Sequence, residues 1–384
     1  MTGPSPAGYP PRGEPADASR RFPDHLTQEK ATPYELPGEQ LFDIEGPIRY
    51  SRPEIPGPGT DTMQIQDVFH YFGNDLKRVE EHMETYLRSE MRLIPEIIHH
   101  LIGSGGKRFR PLLLLAAAEL CSYRGERRYP LSAVIEFIHT ASLFHDDVID
   151  HAETRRGRVS ANRVWGNAAS VLVGDFLYSK SFKLMIDDGS MAILKLISTT
   201  TNTMSEGEVF QLMKAGDVNI TEKEYLSIVE KKTSILISAA CAIGGILGNA
   251  TDGQIEALTR FGMRLGTAFQ ITDDTLDYVA REEEFGKAIG QDLREGKLTL
   301  PLIRTMKKCT PEERTFIRTG IEKKDGEATA GIMDLMHRYD GITYALRKAR
   351  NCIDEARGFL SPFDDSEAKT ALLTIADYIL DRRL

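Results

Sequence analysis

The chain has 384 residues, 41% hydrophobic and 27% charged, an ordinary balance for a globular protein with room for one large domain or two medium ones. Lys+Arg number 48 against 57 Asp+Glu, a formal net charge of -9, which argues against nucleic-acid binding as the main task but leaves room for a phosphate site built from a few placed cations. Cys121, Cys241, Cys309 and Cys352 show no paired spacing, which speaks against a disulfide framework or a cysteine zinc site, and no apolar run reaches the ~18 residues of a membrane span.

Residues 1–62 hold 12 of the 18 prolines and no sustained apolar period. Such a segment buries too little surface to offset its ordering entropy, so a disordered arm is expected. It lacks the basic start and apolar stretch of a secretory signal, and its acids (Glu14, Asp17, Asp24, Glu29, Glu35, Glu39) make a poor mitochondrial presequence. From Met63 onward the period is helical. Leu76, Val79, His82, Met83 and Leu87 recur at three- and four-residue steps, as do Met91, Ile94, Ile97, Ile98 and Leu101. Further helices are predicted over about 111–122, 130–150, 160–186, 191–214, 221–248, 252–278, 298–308, 311–320, 340–360 and 366–382. Turn chemistry marks breaks at Gly103 to Gly106, Pro130, Gly189, Gly216, Gly253 and Gly286, and alternating strand patterns with hairpin turns are missing. The expected fold class is all-α, a single large helical domain over 63–384. Segments apolar all round, such as 235–248, suit a helix enclosed by others.

Two matching aspartate clusters carry the chemistry. Asp146, Asp147 and Asp150 lie in FHDDVID, and Asp273, Asp274 and Asp277 in ITDDTLD, each at i, i+1, i+4. On a helix, i and i+4 point the same way and i+1 lies about 100° round, so each cluster presents two or three carboxylates on one edge. Like charges this close repel unless a cation offsets them. Dense hard oxygen donors suit Mg2+, which keeps several waters and favours one or two carboxylates plus phosphate oxygens. The bland alternative is a solvated acidic face. The apolar flanks (Phe144, Val148 and Ile149; Phe269, Ile271, Leu276 and Tyr278) count against it, because unpaired acids are rare among such neighbours.

Cations are spaced to meet phosphates. GSGGKRFRP (103–111) joins a glycine loop to a helix start, with Lys107, Arg108 and Arg110 on or beside it. His139 lies two turns before Asp146 on the same edge. Arg155 and Arg156 follow the first cluster, Lys231, Lys232 and Thr233 interrupt an apolar helix, Gln270 precedes Asp273 by three residues, and Lys287 and Lys297 follow the second cluster. Arginine suits bidentate phosphate recognition, although each of these groups alone is equally a charged surface.

Together the segments GGKRFRP (105–111), HDDVIDHAETRRG (145–157), GDFLYSKSF (174–182), KKTSILISAA (231–240), FQITDDTLDY (269–278) and GQDLREGKLTLPLI (290–303) resemble the trans-isoprenyl diphosphate synthase family over about residues 75–384, long-chain members in particular. The resemblance implies an isoprenoid-synthase fold with a central cavity and a prenyltransferase that condenses isopentenyl diphosphate with an allylic prenyl diphosphate. It implies that Lys107, Arg110, His139 and Arg156 contact isopentenyl diphosphate. Arg155, Lys232, Thr233, Gln270, Lys287 and, less directly, Lys297 would contact the allylic diphosphate or its flank. Asp146, Asp150 and Asp273 would hold three Mg2+ ions, with Asp147 and Asp274 in the same catalytic motifs. A homodimer in the cytoplasm is implied, with loose membrane contact for product release.

Product length should follow the depth of the apolar channel below the first cluster. Ser142 lies one turn below Asp146, whereas the role of Ala141 rests on the resemblance. Both are small where short-chain relatives tend to carry an aromatic, so a medium-to-long product for a quinone side chain is expected, with Phe182 as a candidate floor. The alternatives are a short-chain farnesyl or geranylgeranyl diphosphate synthase and a noncatalytic subunit of a heteromeric synthase.

Overall fold

The computed structural model describes residues 63–102, 108–155, 157–279, 292–293, 296–323 and 326–381. The arm 1–62, the turn at 103–106 with Lys107, and Arg156, Gly286 and Lys287 lie outside the described residues. The described residues belong to one compact unit.

The chain enters through α1 (Ile65–Tyr71), opened by a reciprocal cap between Gln64 and Asp67, and α2 (Gly73–Tyr86). Then follow α3 (Leu93–Ile102), α4 (Phe109–Leu120) and α5 (Arg128–Ile149). A short antiparallel ribbon comes next, β1 (Thr154–Arg155) with β2 (Arg158–Val159), pairing Thr154 with Val159 and Arg155 with Arg158. The sequence pattern did not announce this ribbon, because two residues a side are too short to alternate. α6 (Ala161–Asp188) and α7 (Met191–Lys214) are separated at Gly189, whose φ of 78° is the left-handed conformation that ends a helix.

The predicted helix over 221–248 is three pieces in line: α8 (Glu222–Val229), a π-helical turn (Glu230–Ser234) and α9 (Ile235–Leu247). After α10 (Asp252–Val279) come α11 (Leu300–Lys308), α12 (Pro311–Lys323), α13 (Gly326–Arg338), α14 (Gly341–Phe359) and α15 (Glu367–Asp381). The helix α13 is absent from the sequence expectation. Glycine is a poor helix former, and Gly331 is accommodated here because Phe316 of α12 lies where a Cβ would be crowded.

All-α architecture is therefore observed. α9 is enclosed, with Leu236 to Gly245 buried, and so is Pro111 to Glu119 of α4. α9 packs chiefly on α10, α4 and α7, α5 on α6, and α10 also on α14. Two apolar clusters fill the interior. The larger runs from α1 through α15. The smaller lies between α4, α5, α6, α7 and α9 and includes Ile138, Ile197, Met204, Leu236 and Ile243. Each fully buried Leu, Ile or Phe contributes about 1.5–3 kcal/mol. This core holds α5, α7, α10 and the π turn around α9, and those elements other than α9, with the start of α4, carry the site.

Candidate active site

A cavity of about 560 Å³ brings most of the candidate residues together. The start of α4 supplies Arg110, α5 supplies His139, Ser142 and Asp146, and the ribbon supplies Arg155. The π turn adds Lys232 and Thr233, and α10 adds Gln270 and Asp273. Phe109 and Phe269 stack beside them with ring centroids 5.7 Å apart, and Tyr378 of α15 closes the wall. A smaller adjoining cavity of about 220 Å³ is bordered by Asp150, Glu208, Lys232, Asp274 and Lys297.

Helix register explains which aspartates face the space. His139, Ser142, Asp146 and Asp150 fall at steps of three or four along α5. Asp147, one residue on, is turned into the protein and is 1% exposed. Arg155 donates to its Oδ1 with Nε at 2.8 Å, and the Asn162 side chain donates to its backbone carbonyl at 3.1 Å. Burial pushes the Asp147 carboxyl up, while Arg155 pulls it down. The second cluster repeats the arrangement. Asp273 is exposed to the cavity, whereas Asp274 is buried. The Tyr225 hydroxyl donates to Asp274 Oδ2 at 2.6 Å and the Gln270 amide to Oδ1 at 2.7 Å. Thr233 in turn donates to Gln270 Oε1 at 2.9 Å. Burial raises Asp274 to about 6, against the effect of its two donors. In both motifs the middle aspartate is an inward acceptor that braces a neighbour.

The π turn has a local cause. Gly207 of α7 and Gly266 of α10 press their backbones against it, and a Cβ on either would come within 3.0 Å of Lys231, Lys232 or Ser234. The widened turn places Lys232 and Thr233 on the cavity wall, the kind of position where single π turns recur.

The cations already engage the acids. Lys232 Nζ lies 2.8 Å from Glu208 and 3.6 Å from Asp146, and Lys297 Nζ lies 2.9 Å from Asp150. Lys297 thus ties the chain after the second cluster to the first. Burial, then the charge of Asp146, pushes the Glu208 carboxyl up. Tyr178 is pushed up to about 12 by burial, with Asp146 and Glu208 adding to the effect. Among the described residues, no three acidic, histidine or cysteine side chains converge on one point. Asp146 and Asp273 line the same cavity, and carboxylates so placed suit Mg2+, which takes one or two of them and completes its shell with water and phosphate oxygens.

Glu208 and Tyr225 are site residues that the sequence reading passed over. Glu208 had a signal: it continues the stripe Ile193, Ile197, Thr201, Met204 on α7, where an acid is out of place. Tyr225 had none. Arg108 is held by Glu136 at 3.2 Å and Glu80 at 3.3 Å, both partly supplied by neighbouring helices α5 and α2.

The chain-length candidates separate. Ser142 borders both the main cavity and a second one of about 560 Å³, which Tyr178, Thr201 and Met204 also line. Ala141 is fully buried in the larger apolar cluster. Phe182 packs against the smaller cluster without lining these cavities, and Ile138 lies inside it.

Comparison with known proteins agrees with this geometry. Residues 91–337 match the polyprenyl synthetase family. The chain is 38% identical over 321 residues to an octaprenyl diphosphate synthase of Escherichia coli (strain K12), covering 83% of this chain and 99% of that protein. A decaprenyl diphosphate synthase from Rhodobacter capsulatus superposes with a TM-score of 0.80 at 40% identity, covering 83% and 99% of the two chains. A polyprenyl synthase from Caulobacter crescentus CB15, complexed with calcium and isoprenyl diphosphate, gives 0.80 at 36%, covering 85% and 100%. A cavity lined by two aspartate motifs and their cations, on an all-helical frame with these relatives, leads to one conclusion: the chain belongs to the polyprenyl synthetase family.

Proposed function

We propose that this chain is a trans-prenyltransferase that condenses isopentenyl diphosphate with an allylic diphosphate and repeats the step to an octaprenyl-sized product for a quinone side chain. The observation that carries the reading is the meeting of Asp146 and Asp273, from the two motifs, with Arg110, Arg155 and Lys232 around one cavity. The calcium and isoprenyl diphosphate of the Caulobacter relative support a divalent ion and a prenyl diphosphate here.

Asp146, Asp150 and Asp273 would hold Mg2+, three ions with substrate bound. When bound, Mg2+ neutralises the diphosphate so that it departs as a stabilised anion. Arg155, Lys232, Thr233, Gln270, Lys287 and Lys297 hold the allylic diphosphate and its flank, and Lys107, Arg110, His139 and Arg156 hold isopentenyl diphosphate. Asp147 and Asp274 act at one remove, through Arg155 and Gln270. The allylic C–O bond breaks, the double bond of isopentenyl diphosphate attacks the allylic cation, and loss of a proton restores a trans double bond. The freed diphosphate takes that proton, so no side-chain base is required. The dipoles of Thr233 and Gln270 stabilise the cation, and the stacked Phe109 and Phe269 keep water away from it.

Exposed apolar residues on α6 (Val164, Val171, Leu172) and α7 (Val209, Leu212, Met213) support a homodimer formed through these helices. No described helix is long and apolar enough to cross a membrane. We place the enzyme in the cytoplasm, with peripheral membrane contact for product release. The test is turnover by the purified chain with Mg2+, farnesyl diphosphate and labelled isopentenyl diphosphate. A long polyprenyl product, lost with a chelator and restored by Mg2+, is the expected outcome. A product no longer than geranylgeranyl diphosphate would contradict the length, and no turnover by the chain alone would contradict the activity.

A further inference from the structure

Glu206, Gly207 and Glu208 of α7 face Lys231 and Lys232 of the π turn, one acid to each lysine. Glu206 accepts from Lys231 Nζ at 3.0 Å, and Glu208 accepts from Lys232 Nζ at 2.8 Å. The glycine between the acids lets the two backbones meet: a Cβ on Gly207 would lie 2.9 Å from Lys231 Cβ and 3.0 Å from the Lys232 amide nitrogen. The pair of Lys231 and Glu206 is exposed to solvent, and such pairs contribute little. The inner pair is different. Lys232 and Glu208 are only 22% and 25% exposed, and Glu208 borders all three cavities described above.

Lys232 has two carboxylates within reach, Glu208 at 2.8 Å and Asp146 at 3.6 Å. Its ammonium sits on a flexible four-carbon stem, free to close on whichever carboxylate is left to it. With Glu208 in place the amine stops beyond hydrogen-bond distance of Asp146, which stays available for a cation. One N–H given to Glu208 leaves two for phosphate oxygens. The next residue, Thr233, is held from the other side through Gln270 and Asp274. The π turn is thus gripped by α7 at Lys232 and by α10 at Thr233. Glu208 alone would repel a diphosphate. Paired at 2.8 Å, its charge and that of Lys232 offset each other, so what its removal costs is an ordered amine.

We propose that Glu208 is a positioning residue: it holds the Lys232 amine beside Asp146 but off it, aimed at the allylic diphosphate, and it acts through Lys232 rather than on the substrate. This rests on the assignment above of Lys232 to the allylic diphosphate and of Asp146 to Mg2+. Without Glu208 the amine closes on Asp146, which takes one cation from the diphosphate and one carboxylate from the metal.

The experiment uses the full chain with Glu208→Leu, which cannot accept from the amine, and Glu208→Gln, which keeps an acceptor of the same shape without the charge. Each is made alone and together with Lys232→Met. Two readings are taken: Kd for farnesyl diphosphate with Mg2+ and no isopentenyl diphosphate, and amide hydrogen exchange over residues 230–234 of the free protein. Glu208→Leu is expected to raise Kd roughly tenfold, the factor that about 1.4 kcal/mol corresponds to, with a smaller rise for Glu208→Gln. In the Lys232→Met chain neither change causes a further loss, because the group that Glu208 positions is gone. Exchange over 230–234 quickens in Glu208→Leu. An unchanged Kd in both single variants would overturn the proposal. So would a further loss of the same size in the Lys232→Met chain, the mark of a residue that acts on the substrate itself or only on the fold. Should Glu208→Leu not fold, Glu208→Gln decides by the same comparison. If the unaltered chain binds no farnesyl diphosphate, the functional assignment falls, and exchange then decides the grip on Lys232 alone: faster exchange over 230–234 supports it and unchanged exchange overturns it.

Discussion

Asp274 has two oxygens and two donors, the Tyr225 hydroxyl and the Gln270 amide, in a largely buried place beside the smaller cavity. Removing one donor leaves a buried carboxylate half satisfied. Tyr225→Phe should therefore destabilise the metal-free protein by about 1–3 kcal/mol in chemical denaturation and loosen Gln270 and Thr233 with it. An unchanged midpoint would show that the hydroxyl bond carries no weight. Residue by residue, the sequence was informative where a helix wheel decides direction, as for His139, Asp146 and Asp273. It was silent where a partner arrives from far along the chain. Tyr225 meets Asp274 across 49 positions and Lys297 meets Asp150 across 147, and no local pattern encodes either contact.

The helix α8 delivers the π turn to the cavity, and its start is a reciprocal cap: the Thr221 hydroxyl accepts from the Glu224 amide, and the Glu224 carboxylate accepts from the Thr221 amide. Lys214 adds an ion pair at 2.8 Å. Lys214 foremost, then the Thr221 donors, hold the Glu224 carboxyl down at about 2. A carboxyl lowered on folding contributes stability that is complete above its unfolded value near 4.5 and is lost as pH falls towards 2. Glu224→Gln should flatten that part of the stability profile, read by thermal melts across pH 2–5; a profile as steep as before would refute the assignment. Thr221→Ala should cost about 1 kcal/mol at neutral pH in the same melts. At this scale nearly every helix was legible from its apolar period. The exceptions have two causes. The π turn and α13 depend on how closely a neighbouring helix approaches, a property of packing and not of period, whereas the Gly166 break in α6 follows from a left-handed backbone with open space around it.

At the scale of the whole molecule the two aspartate motifs meet across one cavity, and the smaller apolar cluster lies among α4, α5, α6, α7 and α9. Ser142 borders the cavity and Ala141 does not, so a bulky residue should act differently at the two positions. Ser142→Phe should shorten the product while the fold survives. Ala141→Phe should overpack the core and cost about 1–3 kcal/mol. Sizing products by chromatography beside melts of both variants checks this, and equal shortening with equal stability would count against it. The all-α class, the paired motifs and the cation segments were readable because they are periodic or chemically dense. The apolar cluster around Ile138, one turn from Ser142, was not, since it is built from five helices at once. The central claim is that Asp146 on α5 and Asp273 on α10 work as one device to draw the diphosphate off the allylic chain. A double-mutant cycle on kcat with Asp146→Asn and Asp273→Asn tests it most directly. Each single change should cost roughly 100- to 1000-fold and the double change about as much as the worse single, because groups acting as a unit are lost together. Losses that multiply would show two independent sites and contradict the account.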